Sequence, residues 1–113
     1  MSNCIFCRIA AGEIPARIVH EDDLVIAFHD LTPVAPTHVL LIPKRHIASL
    51  AVVEDGDDEV LGRLLSVASR LAAEKGLANG FRIVSNAGAD AGQSVHHLHL
   101  HLLGGRAFDW PPG

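Results

Sequence analysis

The sequence predicts an α+β domain: a largely antiparallel sheet of about five strands, one long helix and a short N-terminal helix. Three observations carry this. One stretch alone has sustained helical periodicity, several short apolar runs are closed by Gly, Pro or acidic turns, and no repeat, linker or low-complexity segment divides residues 1–113. In chain order, Cys4 to Gly12 forms the short helix, with Gly12 as its stop. Arg17 to His20 and Leu24 to Phe28 read as two strands joined through the turn-prone Glu21-Asp22-Asp23. Two prolines make Asp30 to Thr37 a loop, and His38 to Ile42 a buried strand ended by Pro43. Asp57 to Lys75 is the long helix, with Val60, Leu61, Leu64, Leu65, Ala68, Leu71 and Ala72 on its apolar stripe. Its acidic first turn suits the positive end of the helix, and Gly76 stops it. Phe81 to Ser85 is a further strand, Asn86 to Ser94 a glycine-containing loop, His96 to Leu103 the last strand, and Trp110 to Gly113 an irregular tail.

Composition narrows the function. The chain of 113 residues is 49% hydrophobic and 19% charged, which is globular rather than disordered. Its net charge of −4 and lack of any Lys/Arg block argue against binding to a nucleic-acid polymer. No apolar run is long enough to cross a bilayer, and the N-terminus lacks the order of a secretory signal. The expected location is therefore the cytoplasm, where Cys4 and Cys7 stay reduced. A mean hydropathy of +0.28 is high for so small a chain and fits an apolar face covered by a second copy.

The chain has eight histidines, and four of them fall between Val95 and Leu102. Read as a strand, His97-Leu98-His99-Leu100-His101-Leu102 places three imidazoles on one face and three leucines on the other. The leucines would pack under the long helix. The imidazoles would form a row at roughly 6.5–7 Å per step, facing a polar cleft, because three unpartnered buried rings are costly. His97 and His101 are too far apart along a straight strand to share one metal ion. Just upstream, Gly88 to Ser94 combines small residues with a hydroxyl, as a loop that cradles phosphate requires.

The segment Gly92 to Leu103 matches the signature of the histidine triad (HIT) family, in which three histidines alternate with apolar residues. Ile14-Pro15-Ala16, Ala27-Phe28-His29-Asp30, Pro36-Thr37-His38, Ile42-Pro43-Lys44-Arg45-His46 and Trp110-Pro111-Pro112-Gly113 extend the resemblance to the Hint branch of purine nucleoside phosphoramidases. The resemblance implies a HIT-like fold, a homodimer, and a purine nucleotide substrate of AMP or GMP type whose P–N bond is hydrolysed. It makes His99 the nucleophile at the α-phosphorus, with His101 and His38 flanking it and Ser94 near the leaving group. Gly92 and Gln93 would bind the substrate, with backbone amides around Gln93 and Ser94 facing the developing charge and Asn86 beside the phosphate. Asp30 would accept from the ribose hydroxyls. Phe6, Ile9, Phe28 and Leu31 would form the base pocket, and Trp110 would reach toward the partner subunit's site.

Cys4-Ile5-Phe6-Cys7 has the C-x-x-C spacing of half a zinc site; the alternative is a pair of reduced, packed cysteines. Members of the family with this pair imply His46 and His97 as the other two ligands of a structural zinc. His96 departs from the aromatic residue common in the branch and is expected to pack on the leucine face or to be partly exposed. Two other activities stay open: hydrolysis of dinucleoside polyphosphates, and a non-catalytic nucleotide- or zinc-binding adaptor.

Overall fold

The computed structural model describes residues 3–113. Helix α1 spans Ile5–Ala10. It is followed by strands β1 (Ile18–Glu21), β2 (Val25–His29) and β3 (Thr37–Pro43), helix α2 (Asp58–Glu74), and strands β4 (Phe81–Val84) and β5 (Leu100–Gly104). The five strands form one sheet in the order β1-β2-β3-β5-β4, with every neighbouring pair antiparallel.

α2 lies on one face of this sheet. Val60, Leu64, Val67, Ala68, Leu71 and Ala72 are its buried residues, a stripe at helical spacing. They pack with Val39, Leu41, Leu98, Leu100 and Leu102. The expected stripe shifts slightly: Val67 is inside and Leu65 is 54% exposed, because Leu65 sits at the margin of the arc centred on Leu64 and Ala68. The helix ends where Gly76 adopts φ +73° and the amides of Gly76 and Leu77 return to the carbonyls of Ala73 and Ala72. Leu77 then covers the end of β5 at Gly104, where a Cβ would lie 2.6 Å from its side chain.

The opposite face carries a smaller apolar cluster of Phe6, Ile9, Ile26, Phe28, Leu40 and Ile42, covered by α1. The turn between β1 and β2 is tied to α2 by Asp22. One of its carboxylate oxygens accepts the amides of Leu24 and Val25, and the other accepts from His20 and Arg63. Burial alone would raise the pKa of Asp22, but these donors hold it below the usual carboxylate range.

The last strand is shorter than expected. Only Leu100–Gly104 pairs with its neighbours, and His97 and His99 precede the ladder. The chain leaves the sheet because the Leu98 amide donates to the carbonyl of Ile47, 2.6 Å away and outside the sheet. The alternation nevertheless survives, with Leu98 in the α2 cluster and His97 and His99 turned toward Phe6. His96 is exposed and does not pack on the leucine face.

Candidate active site and metal centre

His97 and His99 are buried, 0% and 5% exposed, and each is fixed by a carbonyl. His97 Nε2 lies 2.8 Å from the Pro43 oxygen, and His99 Nδ1 lies 2.7 Å from the oxygen of His97. A carbonyl only accepts, so both of these nitrogens carry the proton. The bare nitrogens are then His97 Nδ1 and His99 Nε2. Ser85, just beyond β4, donates its hydroxyl to the His99 carbonyl at 2.9 Å and holds the backbone where the ladder has stopped. Nothing in the sequence marks Ser85, because its role is a contact between elements.

His101, on β5, stands beside His99 with ring centroids 5.0 Å apart, closer than the strand repeat alone would set them. Its Nδ1 is 2.9 Å from Nε2 of His38 on β3, and His38 Nε2 is 3.4 Å from an Asp30 oxygen. Burial chiefly, with the neighbouring His99 and His38, pushes His101 down to about 4. His38 is lowered too, by burial, against an opposing pull from Asp30.

The His101 shift makes stability depend on pH. In the unfolded chain His101 takes up a proton near 6.5, which the folded chain refuses until about 4. The contribution is complete above the unfolded value and drains as pH falls toward the folded one, to a total on the order of 3 kcal/mol. Urea midpoints measured at pH 7 and pH 5 should therefore show a clearly less stable protein at pH 5.

Next to the triad, across Phe6, lies a partly open, largely apolar cavity of about 240 Å³. Its wall includes Phe6, Ile9, Phe28, Asp30 and Leu31. Phe6 packs edge-on to both His99 and Phe28, at 5.2 and 5.6 Å between centroids, and so joins the cavity to the triad. Leu31 stands at the rim, 90% exposed. Among the described residues, larger but more open clefts lie by Asp22 and Arg63, and between β4 and Phe108, away from the imidazoles.

The loop before the triad is built differently from a plain amide cradle. The Gly92 and Gln93 amides bond back to Ala89 and Gly88. The Gln93 side chain accepts from the Gly88 amide and donates to the carbonyls of Ala48 and Val95. Gln93 is thus a brace that shapes the loop, with Ser94 exposed after it and Asn86 half-buried near its start. Trp110 is 82% exposed and outside the cavity wall. Its segment is held along β4, where Arg82 donates to the carbonyl of Asp109.

The other cluster joins Cys4, Cys7, His46 and His97, whose donor atoms all lie within 4.8 Å of one another. His97 Nδ1 is 3.3 and 3.5 Å from the two sulfurs, and His46 Nδ1 is 3.2 Å from Cys7 Sγ. Because His97 Nε2 is protonated toward Pro43, a lone pair faces the thiols, as a metal ligand requires. The Cys7 amide also points at Cys4 Sγ, 3.4 Å away, which brings the two sulfurs together at the start of α1. Two sulfurs and two imidazole nitrogens are the donor set of a closed tetrahedral zinc site, so the residues present fit that ion. Arg45, next to His46, is paired with the buried Asp57 ahead of α2, which anchors this segment to the helix.

The model of the HIT domain matches residues 11–108 of the chain. The chain belongs to the HIT family. Among its relatives, the Arabidopsis thaliana protein named adenylylsulfatase HINT1 is 50% identical, over 99% of this chain and 78% of that protein. A Brassica juncea protein named 14 kDa zinc-binding protein is also 50% identical, over 96% of this chain and 98% of its own length. The crystal structure of a HIT family hydrolase from Legionella pneumophila superposes with a TM-score of 0.96 at 54% identity, covering 98% of this HIT chain and all of the other. The Hint-like character read from the sequence agrees with these relatives, as does the antiparallel five-stranded fold.

Proposed function

We propose that this HIT protein hydrolyses the P–N bond of purine nucleoside 5′-phosphoramidates through a nucleotidylated His99. The observation that carries this reading is the hydrogen bond from His99 Nδ1 to the His97 carbonyl, which leaves Nε2 bare on a buried ring beside the Phe6 wall of the cavity. Neutral imidazole is a competent nucleophile near pH 7. In the first step the Nε2 lone pair attacks the α-phosphorus. The P–N bond breaks, and its electron pair leaves with the amine, which takes a proton relayed from solvent through the Ser94 hydroxyl. In the second step water attacks phosphorus and gives up a proton to solvent, and the Nε2–P bond breaks with its electron pair returning to Nε2, which releases the nucleoside monophosphate and restores neutral His99.

In this reading Phe6, Ile9, Phe28 and Leu31 hold the base, and Asp30 accepts from the ribose hydroxyls. His101 and His38 stabilise the phosphoryl oxygens; Asn86 and the loop of Gly92, Gln93 and Ser94 border the phosphate. Cys4, Cys7, His46 and His97 would hold a zinc ion, which would supply structural rigidity. The relative named zinc-binding supports that assignment. The same reading takes residues 1–113 as one domain, places the protein in the cytoplasm, and makes it a homodimer whose Trp110 tail serves the partner's site.

The relative named adenylylsulfatase favours a second reading, in which the same histidine takes the adenylyl group from sulfate. Turnover of an adenosine phosphoramidate, adenylyl sulfate and a diadenosine polyphosphate under identical conditions separates the readings. The phosphoramidate is expected to have the highest kcat/KM, and rapid acid quench should trap an AMP adduct on His99. A higher kcat/KM on adenylyl sulfate would replace the proposed substrate, and no turnover of any of the three would leave a binding protein.

A further inference from the structure

The loop between β2 and β3 controls which nitrogen of each flanking imidazole carries its proton. The Val34 backbone N–H donates to His38 Nδ1 at 3.1 Å. An amide N–H cannot accept, so Nδ1 keeps its lone pair and the one proton of neutral His38 sits on Nε2. That Nε2–H lies 2.9 Å from His101 Nδ1 and 3.4 Å from an Asp30 oxygen; a second N–H cannot point at it, so His101 Nδ1 keeps its lone pair and the proton of His101 sits on its own Nε2. His99 has the opposite arrangement, with Nδ1 protonated and Nε2 bare. Two adjacent rings thus present one lone pair and one N–H.

Val34 is also held through the peptide group that follows it. Arg106 Nε donates to the Val34 carbonyl at 3.1 Å, and its guanidinium lies 4.2 Å over the Phe108 ring. The Val34 side chain is 60% exposed, so hydrogen bonds to its two flanking peptide groups rather than burial fix this residue.

We propose that the Val34 amide, steadied by Arg106, is a positioning group that sets the tautomers of His38 and His101, so that His101 offers an N–H and never a lone pair to the reacting phosphoryl group. The proposal rests on the phosphoramidase reading for its catalytic meaning, and on the hydrogen-bond geometry for its physical content. One consequence is that His38 and His101 form a chain of donors and not a proton relay. For His101 to release its Nε2 proton it would draw one from His38, whose Nδ1 is closed to resupply by the amide and whose Nε2 faces the Asp30 carboxylate, which has no proton to give when ionised. The proton for the leaving amine therefore reaches it by another route.

The test is NMR of 15N-labelled, zinc-loaded protein at pH 7, in which imidazole nitrogen shifts and two-bond couplings report each tautomer. His38 and His101 are expected as Nε2–H and His99 as Nδ1–H. Replacing Val34 by its α-hydroxy counterpart turns the amide into an ester and deletes the N–H alone. His38 and His101 should then become tautomer mixtures, and kcat on a phosphoramidate should fall about tenfold, part of the roughly hundredfold that loss of a whole donor costs. KM should change less. Val34→Ala keeps the amide and should keep the His38 tautomer. Arg106→Met, which needs no backbone chemistry, should shift the same signals in the same direction if the ester protein does not fold. Nδ1–H on His38 of the unaltered protein, or unchanged tautomers in the ester and Arg106→Met proteins, would overturn the proposal. The expected tautomers in a protein that leaves phosphoramidates intact would instead overturn the phosphoramidase reading and leave the positioning role standing.

Discussion

His99→Ala is expected to lower phosphoramidate turnover by about four orders of magnitude or more, the scale seen when a covalent nucleophile is removed. Nothing else nearby can take over. His97 Nε2 is committed to Pro43, and its Nδ1 faces the two sulfurs. His101 has its bare nitrogen turned to His38 and its N–H available only as a donor. The contrast with His101→Ala is the sharper check, because removing one oriented donor costs about 10²–10³-fold. The cavity wall of Phe28, Ile9 and Asp30 remains in both variants, so AMP should still bind. Calorimetric titration with AMP beside steady-state turnover measures the two effects separately. Equal losses in the two variants would remove the distinction between attacking and stabilising groups.

Removing zinc is the second large effect expected. A metal that binds only the folded chain stabilises it by about 4 kcal/mol when its free concentration is about a thousandfold above Kd. The Cys4→Ser/Cys7→Ser protein, or the native protein stripped by a chelator, should lose its single metal ion by elemental analysis and unfold at clearly lower urea. The loss should also reach the chemistry. His97, whose carbonyl holds the His99 ring, is one of the four donors, and Phe6 lies between the two cysteines while packing against His99. Stripped protein is therefore expected to bind AMP more weakly, even though none of the four donors lies in the cavity wall. A protein isolated with no zinc, equally stable before and after chelation, would reduce the cluster to packed thiols and imidazoles.

What could be read from the sequence was what repeats locally. α2 was legible because Val60, Leu64, Ala68, Leu71 and Ala72 keep helical spacing, and the two faces of the triad segment because histidine and leucine alternate strictly. The extent of the last strand was not legible. It is decided by the Leu98 amide bonding to Ile47, some fifty residues away, and nothing within the triad signals that departure. The side-chain identities at the site were largely visible, but the groups that orient them were not. The carbonyls of Pro43 and His97, the Val34 amide and the Ser85 hydroxyl act through position, and backbone atoms leave no mark in a sequence. Gln93 shows the converse. Its place beside the glycines drew attention to its backbone, whereas its side-chain amide has a second task, bracing the loop.

The sheet is unequally dressed on its two sides. Most of the buried hydrocarbon lies under α2, while the side with the imidazoles has a thin layer in which Phe6, Ile9, Phe28 and Leu40 double as cavity wall. Mechanical strength and chemical selectivity are therefore lodged in different residues. Exchanges at Ile9 or Phe28 alter the cavity wall while the slab behind them keeps its packing, so under the proposed function such a scaffold has room to diversify its clientele over evolution without rebuilding its frame.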